Sequence, residues 1–201
     1  MSTAKLLETP TRERTMEIAA RLFAQNGFKG VSMRDIANAV GIKAASLYNH
    51  FSDKEDLYLS SLEHAFSFRF EDLRQALAST GSPEDRLVAV ITALTRANAE
   101  DEITTKLLMR EMLVGDRRHQ KWLTDRLFKE PFHQMADLLE ELGAAGEGQQ
   151  SAIYLSALTM GHAMLTPFFE EMDLQESITD PDKLGRDIAD KLTKNYTGNQ
   201  E

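Results

Sequence analysis

The chain contains no cysteine, which removes structural disulfides, thiol nucleophiles and thiolate zinc sites together and fits a reducing interior. It also lacks any run approaching the roughly 20 apolar residues of a membrane span. Its first residues, MSTAKLLETPTRERT, are polar and have no apolar core of the signal-peptide kind. A cytoplasmic location without a membrane partner is expected. Strand-like alternation is missing, as are repeats and low-complexity tracts. There is no G-x-S-x-G elbow, phosphate-cradling glycine loop or H-E-x-x-H pair, and His64, His119, His133 and His162 show no ligand spacing. No enzyme, cofactor or metal is therefore expected. An excess of basic charge is absent too: the net charge of -9 argues at first sight against a nucleic-acid binder.

What is present qualifies that last point. Between Arg12 and Lys54 seven Lys and Arg face four acids, a local +3, so the remainder carries -12. A basic module on an acidic body can hold phosphates at one end while the other end repels them. With 201 residues the chain is long enough to bury a substantial core.

The apolar residues recur at helical spacing throughout, so the expected class is all-α with about nine helices. Thr9–Pro10 reads as a cap for a first helix carrying Ile18, Ala19, Leu22 and Phe23 and ending at Gly27. Ser32 with Asp35 forms a capping-box pattern for a second, striped by Met33, Ile36, Ala37 and Val40 and closed by Gly41. A third runs from about Lys43 to His50. At 100° per residue it turns Leu47 and Phe51 inward and leaves Ala45, Ser46, Tyr48 and Asn49 outside, a face that suits a groove better than open water. Ser52 and Glu55 suggest a capping box for a long fourth helix. Further helices follow, with Pro131 expected to kink or divide the one that begins near Arg117.

The segment from Gly41 to Phe51, GIKAASLYNHF, followed by Lys54-Glu55-Asp56-Leu57, resembles the signature of TetR-type transcriptional regulators. The resemblance extends upstream through Ser32-Met33-Arg34-Asp35-Ile36-Ala37 to Ala20-Arg21-Leu22-Phe23. It implies a helix-turn-helix domain over residues 1–54 and a helical ligand-binding and dimerisation domain over 55–201. By the same resemblance, Tyr48, His50 and Lys54 contact phosphates, as do Ser32 and Arg34. Lys43, Ala44, Ala45 and Asn49 would face base edges, with Met33 and Ser46 completing the DNA-contacting set. Lys43 stands where many members have Ser or Thr, and Ala45 where many have Gly or Pro, which leaves base preference open.

For the body, Phe66, Met109, Arg110, Met112, Tyr154 and His162 are candidate pocket residues. For Arg110, Tyr154 and His162 the competing reading is a structural hydrogen bond or simple exposure. The last two long helices are expected to form a two-fold homodimer through Tyr154, Leu158, Gly161, Leu165, Leu184, Ile188 and Leu192. The expected partners are a double-stranded DNA operator, a small-molecule effector and a second copy of the chain. The expected function is a ligand-responsive regulator, more readily a repressor than an activator. An all-helical interaction protein that does not bind DNA is the alternative.

Overall fold

Helical periodicity without strand alternation yields ten α-helices among the described residues of a computed structural model, which describes residues 12–144, 146–174 and 180–197. They are α1 (Arg12–Asn26), α2 (Met33–Val40), α3 (Ala44–Leu47), α4 (Lys54–Leu77), α5 (Pro83–Glu100), α6 (Glu102–Val114), α7 (Arg117–Leu123), α8 (Lys129–Glu141), α9 (Gly148–Glu171) and α10 (Pro181–Thr197). The Thr9–Pro10 cap lies outside the described residues.

The chain divides into two compact units, Met1–Phe68 with Ile103–Leu123, and Arg69–Glu102 with Thr124–Glu201. This differs from the division expected between Lys54 and Glu55, because α6 and α7 group with the N-terminal helices. Arg110 of α6 donates to the Ala24 and Gln25 carbonyls at 2.7 and 2.6 Å. Tyr58 of α4 donates to the carboxylate of Glu111, also on α6. α1 has no basic residue in its last turn, so Arg110 supplies the favourable charge at its C-terminal end from far along the chain. The core of this unit is built on Phe23, Ile36, Leu47, Phe51, Leu57, Leu62 and Phe66, all essentially inaccessible. Phe23 meets Tyr58 edge-on, with centroids 4.8 Å apart.

Two local expectations change. The fourth helix is capped by Asp53, whose Oδ1 accepts from the Asp56 N–H at 2.8 Å, while Asp56 reaches back to the Ser52 N–H. Glu55 takes no part in that cap and is left free to meet α7. The segment beginning at Arg117 divides before Pro131, at a single π-helical turn, Thr124–Phe128. Pro131 then sits in the first turn of α8, where its missing N–H costs little.

In the second unit α10 packs on α5, and α9 packs on α8 and α5. Gly185 makes the first contact possible: a Cβ there would lie 2.6 Å from Thr92 Oγ1 and 2.8 Å from Thr92 Cα. Arg96 pairs with Asp182 at 2.6 Å beside it. α9 buries Ser151, Ala152, Leu155 and Thr159. A different face of the helix exposes Tyr154, Leu158, Leu165 and Phe168. By length and composition this helix is apolar enough to cross a membrane, the one such helix among the described residues. With Gly161 included, Tyr154, Leu158, Gly161, Leu165 and Phe168 follow at alternating steps of four and three, the spacing of a helix-packing seam.

Candidate nucleic-acid interface

The helix-turn-helix is set by two caps. Ser32 Oγ accepts from the Asp35 N–H at 3.2 Å, and Asp35 accepts from the Ser32 N–H at 2.9 Å. The Ser32 hydroxyl, which donates to Asp35 Oδ2 at 2.6 Å, and after it the Ser32 N–H hold the Asp35 carboxyl below the usual carboxylate range. At the other end of α2, Gly41 adopts φ +84°, and the N–H groups of Gly41 and Ile42 both reach the Ala37 carbonyl at 2.9 Å. A residue with a Cβ is strained in that left-handed conformation, so glycine is what allows the turn.

α3 is shorter than the expected span to His50. After Leu47 the chain tightens into turns in which Asn49 N–H reaches the Ser46 carbonyl and His50 N–H the Leu47 carbonyl, at 3.3 and 3.0 Å. A helix this short cannot persist alone. Leu47 and Phe51, 0 % and 1 % exposed, anchor it in the core as the projection requires.

The outward face then follows. Lys43, Ala45, Tyr48, Asn49 and His50 are exposed, as are Ser32 and Arg34 on α2, while Ala44 and Ser46 are half-buried. Two residues of the expected DNA-contacting set go elsewhere. Met33, only 9 % exposed, is part of the α2 core stripe, because its position repeats with Ile36, Ala37 and Val40. Lys54 turns its ammonium onto the Phe28 and Val31 carbonyls, both at 3.0 Å, and over the Phe28 ring at 4.3 Å. It braces the loop that delivers the chain into Ser32.

The expected pocket residues fall in both units, Phe66, Met109, Arg110 and Met112 in the first and Tyr154 and His162 in the second. Phe66 is core, Met109 half-buried, and Met112 and Tyr154 are exposed. Arg110 caps α1 and also borders a cleft of about 630 Å³ in the first unit, together with Phe28, Tyr58, Glu111, Val114 and His119. His162 lies in the second unit, half-buried beside Phe169, with its Nε2 unpartnered among the described residues. Burial lowers its pKa from the ordinary histidine value. Of the expected dimer residues, Tyr154, Leu158 and Leu165 are exposed, and space is open over Gly161. Leu184 and Leu192 are half-buried, while Ile188, 8 % exposed, is absorbed into the chain's own core.

Residues 16–60 match the family profile described as bacterial regulatory proteins, tetR family. This helix-turn-helix segment belongs to the TetR family. Over 82 residues the chain is 35% identical to the HTH-type transcriptional repressor KstR2 of Mycobacterium tuberculosis, covering 41% of each chain. It is 35% identical over 75 residues to the HTH-type transcriptional activator FasR of Mycolicibacterium smegmatis, covering 37% of this chain and 34% of the relative. The chain thus spans about two fifths or less of the length of these curated relatives.

Beyond the TetR segment the likeness is one of fold. The structure of KstR2 superposes over 92% of this chain and 93% of its own, with TM-score 0.66 and 20% identity. The structure described as AibR in complex with isovaleryl coenzyme A and operator DNA covers 75% of this chain and 84% of its own, with TM-score 0.65 and 20% identity. The described helices thus adopt the all-helical architecture of TetR-type regulators.

Proposed function

We propose that this protein is a cytoplasmic, ligand-responsive regulator of transcription that binds a pseudo-palindromic operator as a homodimer. The observation that carries the reading is the exposed face of α2 and α3: Arg34, Lys43, Tyr48, Asn49 and His50 presented on a frame locked by the Ser32–Asp35 box and the Gly41 turn. Tyr, His, Lys, Arg and Ser donate to phosphate oxygens, and they surround the small Ala45, which permits close approach to base edges. The exposed Tyr154–Leu158–Gly161–Leu165 stripe of α9 supports pairing with a second copy, which would bury surface that is costly to leave in water. Two copies would present recognition helices about one DNA turn, roughly 34 Å, apart.

A small molecule would change operator affinity by binding one conformation of the dimer better than another. Repression is the favoured direction. An activator of the same fold is the alternative, and an all-helical interaction protein without DNA affinity is the competing class. Titrating operator duplex with protein at rising salt tests the reading. Binding that weakens steeply with salt supports it, because phosphate contacts release counterions; retention on no DNA at low salt overturns it.

A further inference from the structure

Arg12 opens α1, and a cation in the first turn of a helix stands against the helix dipole, which favours acids such as the neighbouring Glu13. The guanidinium is employed elsewhere in the same unit. Its Cζ lies 5.1 Å from the centroid of the Phe51 ring, within cation–π range, and its Nη2 donates to Ser60 Oγ on α4 at 3.1 Å. Ser60 Oγ in turn donates to Asp56 Oδ1 at 3.4 Å. The other carboxylate oxygen of Asp56 accepts from the Ser52 N–H at 2.8 Å and from Ser52 Oγ at 3.2 Å. One side chain thus touches the ring that ends the recognition segment and, through Ser60 and Asp56, reaches the residue that follows it.

That segment is where the candidate DNA donors are least fixed by regular helix. α3 ends at Leu47, and the exposed Tyr48, Asn49 and His50 follow it in turns. Their next anchor in the core is Phe51, 1 % exposed, whose N–H reaches the Leu47 carbonyl at 3.0 Å and whose ring meets that of His50 at 6.4 Å. Whatever orients the Phe51 ring and the Ser52 backbone therefore sets where Tyr48, Asn49 and His50 stand. A planar guanidinium that covers a ring and donates to a hydroxyl fixes an orientation; an ammonium is a point charge on a flexible stem and does not.

We propose that Arg12 is a positioning residue for operator binding: through Phe51 and Ser60 it clasps the exit of the recognition helix, so that Tyr48, Asn49 and His50 meet DNA in one register. It acts through those residues and not by touching a phosphate. This rests on the DNA-binding reading.

The test uses the full chain and a duplex recovered by the wild-type protein from a random library. Fluorescence anisotropy at several salt concentrations, well below the lowest melting temperature, compares wild type, Arg12→Ala, Arg12→Lys, His50→Ala and the double variant of Arg12→Ala with His50→Ala. Both Arg12 variants should lose about fivefold in affinity, the scale of a cation–π contact, and keep the wild-type salt slope. In the double variant the two losses should fall short of additive, since His50 is already displaced. Wild-type affinity in Arg12→Lys, or a slope flattened by about 0.9 in Arg12→Ala, makes Arg12 a phosphate contact and overturns the proposal. Unchanged affinity in both variants overturns it too, as do fully additive losses. Arg12 is exposed, and Arg12→Lys keeps its charge, so that variant decides the matter where Arg12→Ala fails to fold. Absence of DNA binding by the wild type at low salt overturns the DNA-binding reading itself.

Discussion

At the scale of single residues, what matters is where each cation is committed. Arg34 is exposed on the outward face of α2, whereas the Lys54 ammonium is bound to two backbone carbonyls. Arg34→Ala is therefore expected to weaken binding similarly on all sequences and to flatten the log-affinity against log-salt slope by about 0.9, one phosphate's worth of counterion. Tyr48→Phe removes a neutral donor, so affinity should fall about 3- to 10-fold with the slope unchanged. Lys54→Ala should instead lower the melting temperature, since the Phe28 and Val31 carbonyls lose their donor; the expected cost is about 1–3 kcal/mol. Parallel melts and salt titrations of the three variants separate these outcomes. Sequence alone placed Lys54 with the phosphate contacts because it stands beside the motif. The carbonyls that claim it lie 23 and 26 residues upstream and leave no local signature.

At the scale of elements, local chemistry was legible and long-range contacts were not. The Ser32–Asp35 box, the Gly41 turn and the inward Leu47 and Phe51 follow from spacing and φ requirements that a few neighbouring residues state completely. The assignment of α6 to the first unit depends on Arg110 meeting carbonyls 85 and 86 residues away, which no periodicity encodes. The same limit misplaced Ile188 on a partner face: an apolar stripe does not say which helix covers it, and here that helix is the chain's own α5.

Two predictions belong to this scale. Asp35 has a lowered folded pKa, so its share of stability is complete above the ordinary carboxylate value near 3.8 and is lost as pH falls through the folded value. Urea denaturation at pH 2 to 5 should show this acid-side loss in the wild type and a shallower dependence in Asp35→Asn. Gly185→Ala forces a methyl against the Thr92 backbone. Its expected cost is about 1–3 kcal/mol of stability, read as a fall in denaturation midpoint; an unchanged midpoint would show that α10 moves off α5 freely.

At the scale of the whole molecule, the acidic body and the basic N-terminal segment give the chain a polarity that a net charge of -9 conceals. The exposed α9 stripe is the surface proposed to meet a second copy of the chain. Leu158→Glu with Leu165→Glu places charge on that exposed stripe, where each side chain is about half-exposed. The pair should shift sedimentation toward the monomer while leaving the helical circular dichroism signal intact.

The most direct test of the account is a selection from random duplex DNA with the wild-type chain, followed by mass determination of the complex on the enriched duplex. The account predicts a pseudo-palindrome with half-site centres about 10 base pairs apart, holding two chains and releasing them steeply with salt. A selection that enriches nothing, with DNA retention no greater than that of an unrelated acidic protein, would contradict it.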